Sequence, residues 1–148
     1  MLDPVLLIHR PAFRVHRWRV PLVPTALYLM NRIPFGIVLP PSVVVGRGVK
    51  LAYLGLGTVV HRSTVPGDGV VVGPNVTIGR RSGHARVPVI AAGAYLGAGA
   101  RVLGPVTVGE NAVVGANAVV LEDVPANCVV VGIPARVVKT GIPPGAFR

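Results

Sequence analysis

The sequence predicts an all-β coil: a parallel β-helix with three short sides to each turn, closed at its N-terminal end by a small helical cap. Three observations predict it. From Val72 an aliphatic residue returns every six positions, at Val72, Ile78, Ile90, Leu96, Val102, Val108, Val114 and Val120, and only His84 breaks the series. A glycine follows directly at Gly73, Gly79, Gly97, Gly109 and Gly115. The composition joins 51% hydrophobic residues to only 5% aromatics, with 19 Gly and 15 Pro in 148 residues. That mixture suits many short strands and tight corners around a core of small aliphatic side chains.

A period of six is neither helical, near 3.6 residues, nor the simple alternation of a strand. An internal repeat of this kind outranks local propensity. Six residues fit one short extended side and the corner after it, with one aliphatic side chain pointing inward. The glycine that follows either relieves crowding or permits a positive φ at the bend. With three sides to a turn, Ile90 and Val108 are expected to stack. Each aliphatic side chain so buried contributes roughly 2 kcal/mol. The alternative is an ordinary β-sandwich with coincidental spacing, and six consecutive matches from Ile90 to Val120 weigh against it. Before the regular series, Val45-Gly46, Leu51, Val60 and Val65 read as less regular coils.

The first forty residues differ. Residues 25–33 read as a short helix, capped by Thr25 after Pro24 and stopped at Pro34. Residues 3–9 read as another turn or two before Pro11. The expected organisation is a helical cap over residues 1–39, the β-helix over 40–139 and a flexible tail over 140–148. His9 and His16 lie among arginines and are expected to face solvent. One segment interrupts the repeat, Arg80-Arg81-Ser82-Gly83-His84-Ala85-Arg86-Val87-Pro88. A histidine buried in the aliphatic ladder is costly, so this segment is expected as a loop outside the coil. Loops held on rigid scaffolds are where function concentrates.

Charge narrows the function classes. Fifteen Lys and Arg face five Asp and Glu, a net charge of +10. Such a surface attracts polyanions, an anionic membrane face or phosphate-rich small molecules. No basic helix with spaced aromatics and no zinc-finger or RNA-binding motif occurs, so nucleic acid is not the expected partner. With so few carboxylates, paired-carboxylate hydrolysis has few candidates. A general base is sought among His9, His16, His61 and His84. A lone Cys128 excludes a disulfide framework and a thiolate metal cluster. A cytoplasmic setting is the default expectation. The N-terminus does not have the layout of a signal peptide. The longest apolar stretch, residues 20–30, holds two prolines and is far shorter than the ~20 residues of a spanning helix. It still suits peripheral membrane contact. Cys128 is expected in the core and Asp68, in Pro66-Gly67-Asp68-Gly69, at a corner.

The stretches Tyr95-Leu96-Gly97-Ala98-Gly99-Ala100, Gly115-Ala116-Asn117-Ala118-Val119-Val120, Asp123-Val124-Pro125 and Gly132-Ile133-Pro134-Ala135-Arg136 resemble the hexapeptide-repeat acyltransferases. Within them the chain is most similar to serine O-acetyltransferases and their short relatives in polysaccharide clusters. The resemblance covers roughly residues 10 to 139. It implies a left-handed parallel β-helix, a homotrimer with active sites in grooves between neighbours, and acetyl-CoA as co-substrate without a metal. It implies that a His takes the acceptor hydroxyl proton as the oxygen attacks the thioester.

Carried over by motif, Ala98 and Ala116 hold the pantetheine arm, Gly79 falls in the CoA-contacting region, and Arg136 and Lys139 pair with phosphates. The resemblance departs where that family places an Asp and an Asp-His pair, for those positions fall on or near Val38, Ala52 and Tyr53. The remaining candidates are His84 in the loop, His61 at the end of a β segment, and Tyr53 as a hydrogen-bond donor to acceptor or oxyanion. The expected function is O-acetyl transfer to a small hydroxyl acceptor, serine or a sugar or glycan hydroxyl. A non-catalytic scaffold or regulatory subunit is the alternative, supported by the same departures.

Overall fold

The computed structural model describes residues 3–18 and 22–147. The chain from Ile37 winds into a three-faced parallel coil. The first face stacks Lys50–Leu51, Val71–Val72, Tyr95–Leu96, Val113–Val114 and Val129–Val131, and Arg136–Lys139 turns back antiparallel on the last of these. The second stacks Val59–Val60, Thr77–Gly79, Arg101–Leu103 and Val119–Val120. The third stacks Val65–Pro66, Val89–Ile90 and Thr107–Val108, and Val124 bridges to Val108. Val38 bridges Val59, so the second face begins before the first regular turn.

The ladder residues meet in register: Val60 with Ile78, Ile78 with Val102, Val102 with Val120, Leu96 with Val114, and Ile90 with Val108. Each is buried. In the earlier coils Leu51 and Val60 take the inward places expected of them, and only the third face is one residue off. Val65 points outward at 50% exposure, and Pro66 takes the inward place opposite Ile90. A proline fits because its missing N–H costs nothing where the strand is two residues long and the next amide, that of Gly67, makes the bond to Ile90 O.

The structure also decides between the two roles of the repeating glycines. Gly73, Gly97 and Gly109 do not have positive φ. A Cβ on them would lie 2.7, 2.7 and 2.5 Å from the backbone nitrogens of Ala98, Ala116 and Ala126 in the next turn. Crowding between turns is what excludes a side chain. The positive φ falls two residues later, on Asn75, Gly99 and Asn111, as suits residues that tolerate the left-handed region.

Two helices close the open end. α1 runs Pro4–Arg17 and α2 Val23–Phe35. Val5 and Leu6 join the core with Ile37, Leu39, Val43, Val49 and Leu51. The Asp3 carboxylate caps α1 through Val5 N–H and accepts a second bond from Leu51 N–H at 3.2 Å. α1 continues past the expected stop at Pro11. The helix loses one bond to the Leu7 carbonyl there, but Leu7 and Pro11 are exposed and water can take that place. α2 starts at Val23 after Leu22, not at a Thr25 cap, and Thr25 is exposed. His9, expected in solvent, is 2% exposed, with Nε2 3.0 Å from Val43 O. Docking of α1 across the first turn buries it; His16 does face solvent. Past Lys139, Ile142 is buried with its N–H on Asn127 O, and Phe147 lies 6.4 Å from Tyr95, ring centre to ring centre.

Candidate active site

The three corners of the coil run as edges along its length. At the edge between the first and second faces, successive turns are tied by Asn75 N–H to Leu56 O, Gly99 N–H to Pro74 O and Asn117 N–H to Ala98 O. Tyr53, Ala98 and Ala116 lie along this edge, all exposed. Among the described residues, no partner within the chain accepts the amide N–H of Ala98 or Ala116. A Cβ on Gly73 or Gly97 of the stacked turn would lie 2.7 Å from these nitrogens.

Tyr53 sits in an irregular turn that lengthens this coil by three residues, Leu51 pairing with Val72 rather than with a residue eighteen further on. Tyr53 has φ 52° and Leu54 φ 59°, followed by Gly55 at φ 68°. Two consecutive side-chain-bearing residues in the left-handed region are strained. The turn opens a groove of about 670 Å³ against α1, lined by Leu6, Leu7, Leu51, Ala52, Tyr53 and Leu54.

The edge between the second and third faces holds the histidines. His61 ends Val59–Val60 and its backbone N–H bonds Ile78 O. One turn on, residues 80–86 leave the coil as an exposed loop and Pro88 is buried again at its end, lengthening that turn so that Ile78 pairs with Val102. Gly79 stands at its base, with Gly104 N–H on its carbonyl. His84 is exposed at the tip, where its N–H closes a turn on Arg81 O and Gly83 takes φ 84°.

His61 has a defined ring state. Its Nδ1 accepts from Ser63 N–H at 3.2 Å, so the neutral ring carries its proton on Nε2 and offers a donor. Partial burial, then the charges of Arg80 and Arg62, lower its pKa below the ordinary 6.5 and keep it neutral at cellular pH. Arg80 and Arg62 were not singled out from the sequence; the signal available was Arg80 following Gly79 at the loop base.

Arg136 and Lys139 lie on the antiparallel return strand, exposed. Arg136 already reaches Glu122 at 3.4 Å and its own neighbour's carbonyl, Ala135 O, at 2.9 Å. Asp68 is a corner residue, as expected, held by Arg47 at 3.0 Å, and Cys128 is core. One chain therefore brings His61, Gly79 and His84 to one edge and Tyr53, Ala98 and Ala116 to another, with the second face between them. Val38, beneath Val59 on that face, and Ala52 offer no acid or base.

A coil of six-residue sides with an extruded basic loop defines the hexapeptide-repeat class. The bacterial transferase hexapeptide model, of six repeats, matches residues 88–122. The chain is 36% identical over 135 residues to serine acetyltransferase of Helicobacter pylori, covering 90% of this chain and 78% of that one. It is 38% identical over 141 residues to serine acetyltransferase of Synechococcus elongatus, covering 93% of this chain and 57% of the relative. The structure of serine acetyltransferase from Brucella abortus in complex with coenzyme A superposes with a TM-score of 0.83 at 30% identity, over 93% of this chain and 56% of that one. That from Neisseria gonorrhoeae in complex with serine gives 0.82 at 32% identity, over 89% and 54%. The chain belongs to the serine acetyltransferase family, and its coil is the left-handed parallel β-helix. It spans little more than half the length of several of these relatives.

Proposed function

We propose that this chain is an O-acetyltransferase that moves acetyl from acetyl-CoA to a small hydroxyl acceptor, serine or a sugar or glycan hydroxyl. The observation that carries the reading is the likeness over nine-tenths of the chain to serine acetyltransferases, one solved with coenzyme A and one with serine. The protein works in the cytoplasm as a homotrimer. The two edges that hold the candidate residues lie on either side of the second face. A neighbouring copy that sets one edge against the other completes a groove that a single chain lacks.

In that groove Ala98 and Ala116 bond the pantetheine amides through their unengaged N–H groups, and Gly79 gives close access at the loop base. Lys139 and Arg136 meet the phosphates, Lys139 more freely because Glu122 competes for Arg136. His84 takes the acceptor hydroxyl proton as the oxygen bonds the acetyl carbonyl carbon. The C–S bond then breaks and the proton passes to the departing CoA thiolate. His61, held as an Nε2–H donor, stabilises the carbonyl oxygen as charge develops on it. Tyr53 donates to the acceptor or to the same oxygen. The basic N-terminal segment makes peripheral contact with a membrane, near lipid-linked glycan acceptors.

A second reading, a scaffold without catalysis, is favoured by Val38, Ala52 and Tyr53 in place of the family's acid and base. The two part on one assay: release of free CoA thiol from acetyl-CoA, measured with serine and with a panel of sugars. Acceptor-dependent release that falls about a hundredfold in His84→Ala, in the range for a lost general base, supports the enzyme. No release with any acceptor, by chain that binds acetyl-CoA or not, supports the scaffold.

A further inference from the structure

α2 is apolar on two sides. One side turns inward: Pro24 and Asn31 are buried, Asn31 Nδ2 donates to Val5 O, and Phe35 packs on the core. On the other, Leu22, Ala26, Leu29, Met30 and Ile33 recur at the helical spacing i, i+4, i+7, i+8 and i+11 and are all exposed. Leu22 is 80% exposed, Ile33 78% and Met30 54%. A surface helix shows one apolar stripe, toward the core, so a second stripe facing out requires a cover.

Charge names the cover. Arg32 on α2 is exposed, and on α1 Arg10, Arg14, Arg17 and Trp18, the last 75% exposed, line a groove against Val43, Val44 and Val45. The first 67 residues contain one carboxylate, Asp3, and both its oxygens accept backbone N–H groups. A second copy laid on the stripe would set arginines against arginines with no acid between them. An exposed apolar stripe with Arg32 on the same helix, on a chain of net charge +10, suits a surface that is oily inside and anionic outside.

We infer that the outer stripe of α2 lies in the headgroup region of an anionic phospholipid bilayer, with Arg32 on its phosphates. This rests on the membrane contact proposed above and assigns it a face and a lipid class. At 13 residues α2 is about 20 Å long, too short to span, and no helix among the described residues is long and apolar enough to cross. It lies in the plane of the surface.

The test is sedimentation of the full chain with vesicles of phosphatidylcholine alone and with added phosphatidylglycerol, at low and high salt. The expected result is binding to the anionic vesicles only, weakened by salt, and reduced about tenfold or more in Met30→Asp/Ile33→Asp. Acetyl-CoA binding by that variant stays unchanged, which shows that it folds. Equal binding by the double variant overturns the α2 assignment and leaves the membrane contact standing. Absence of binding by the unmodified chain overturns both. A smaller assembly in the double variant identifies the stripe as a copy-to-copy contact and overturns the inference.

Discussion

His9 stacks under the first turn with its ring nitrogen 3.0 Å from Val43 O, and burial lowers its pKa below the ordinary 6.5, partly offset by that bond. The unfolded chain then binds a proton that the folded chain refuses. Stability present above pH 6.5 is lost as pH falls from there through the lowered value. The melting temperature is therefore expected to fall between pH 7.5 and 5.5, and His9→Gln, which keeps an N–H donor, to flatten that slope while costing about 1–2 kcal/mol at pH 7.5. A slope unchanged in His9→Gln contradicts this. Leu54, at φ 59°, is the opposite case: Leu54→Gly releases a conformation that costs an L-residue about 1–2 kcal/mol. Denaturation by urea is expected to show the variant more stable by roughly 1 kcal/mol. Neither residue was legible in the sequence. His9 has arginine neighbours along the chain, and its burial comes from a helix docking on residues more than thirty positions away. Pro66 was missed for another reason: it holds an aliphatic place without being an aliphatic residue type, and Val65 beside it drew the reading one residue off.

At the level of the element, the glycines after Val72, Leu96 and Val108 are a statement about the turn stacked next to them, whereas a Cβ on Gly79 would meet nothing nearer than 3.9 Å. A Cβ on Gly97 meets Ala116 N at 2.7 Å and Val114 O at 2.9 Å, both backbone atoms that cannot swing aside. Gly97→Ala is expected to destabilise by about 1–3 kcal/mol, measured by urea denaturation, whereas Gly83→Ala, with nothing within 4 Å though strained by its φ of 84°, costs about 1–2 kcal/mol through φ alone. A larger cost at Gly83 than at Gly97 contradicts the crowding account. The period was legible because each side repeats the same inward place. The helices were less so: α1 passes through Pro11 and α2 starts at Val23 because tertiary contacts hold segments whose local signals argue for shorter ones. The loop was legible from its polarity, and residues 80–86 do leave the coil, while Pro88 at its expected end is buried.

For the whole molecule, six-residue periodicity predicts the coil but not which of its corners face each other across a neighbour. His61, Gly79 and His84 share one edge, and Tyr53, Ala98 and Ala116 another. Spacing along the chain could not separate these edges, since residues six apart lie on successive faces and only those eighteen apart stack. The Nε2–H state of His61, set by Ser63 N–H, was also beyond sequence reading, because it depends on a corner geometry. In the proposed mechanism it makes His61 the donor and leaves His84 as the base. His61→Gln, which keeps an N–H donor, is expected to retain more acetyl transfer than His61→Ala by about tenfold; equal loss in both contradicts the donor role.

The central claim is that this chain binds acetyl-CoA along its coil. Calorimetric titration of acetyl-CoA into the purified protein tests it most directly. Saturable binding at one site per chain, retained in His84→Ala and weakened in Lys139→Glu, is what the account predicts. No heat of binding, with the coil shown to be folded by its melting transition, would contradict it.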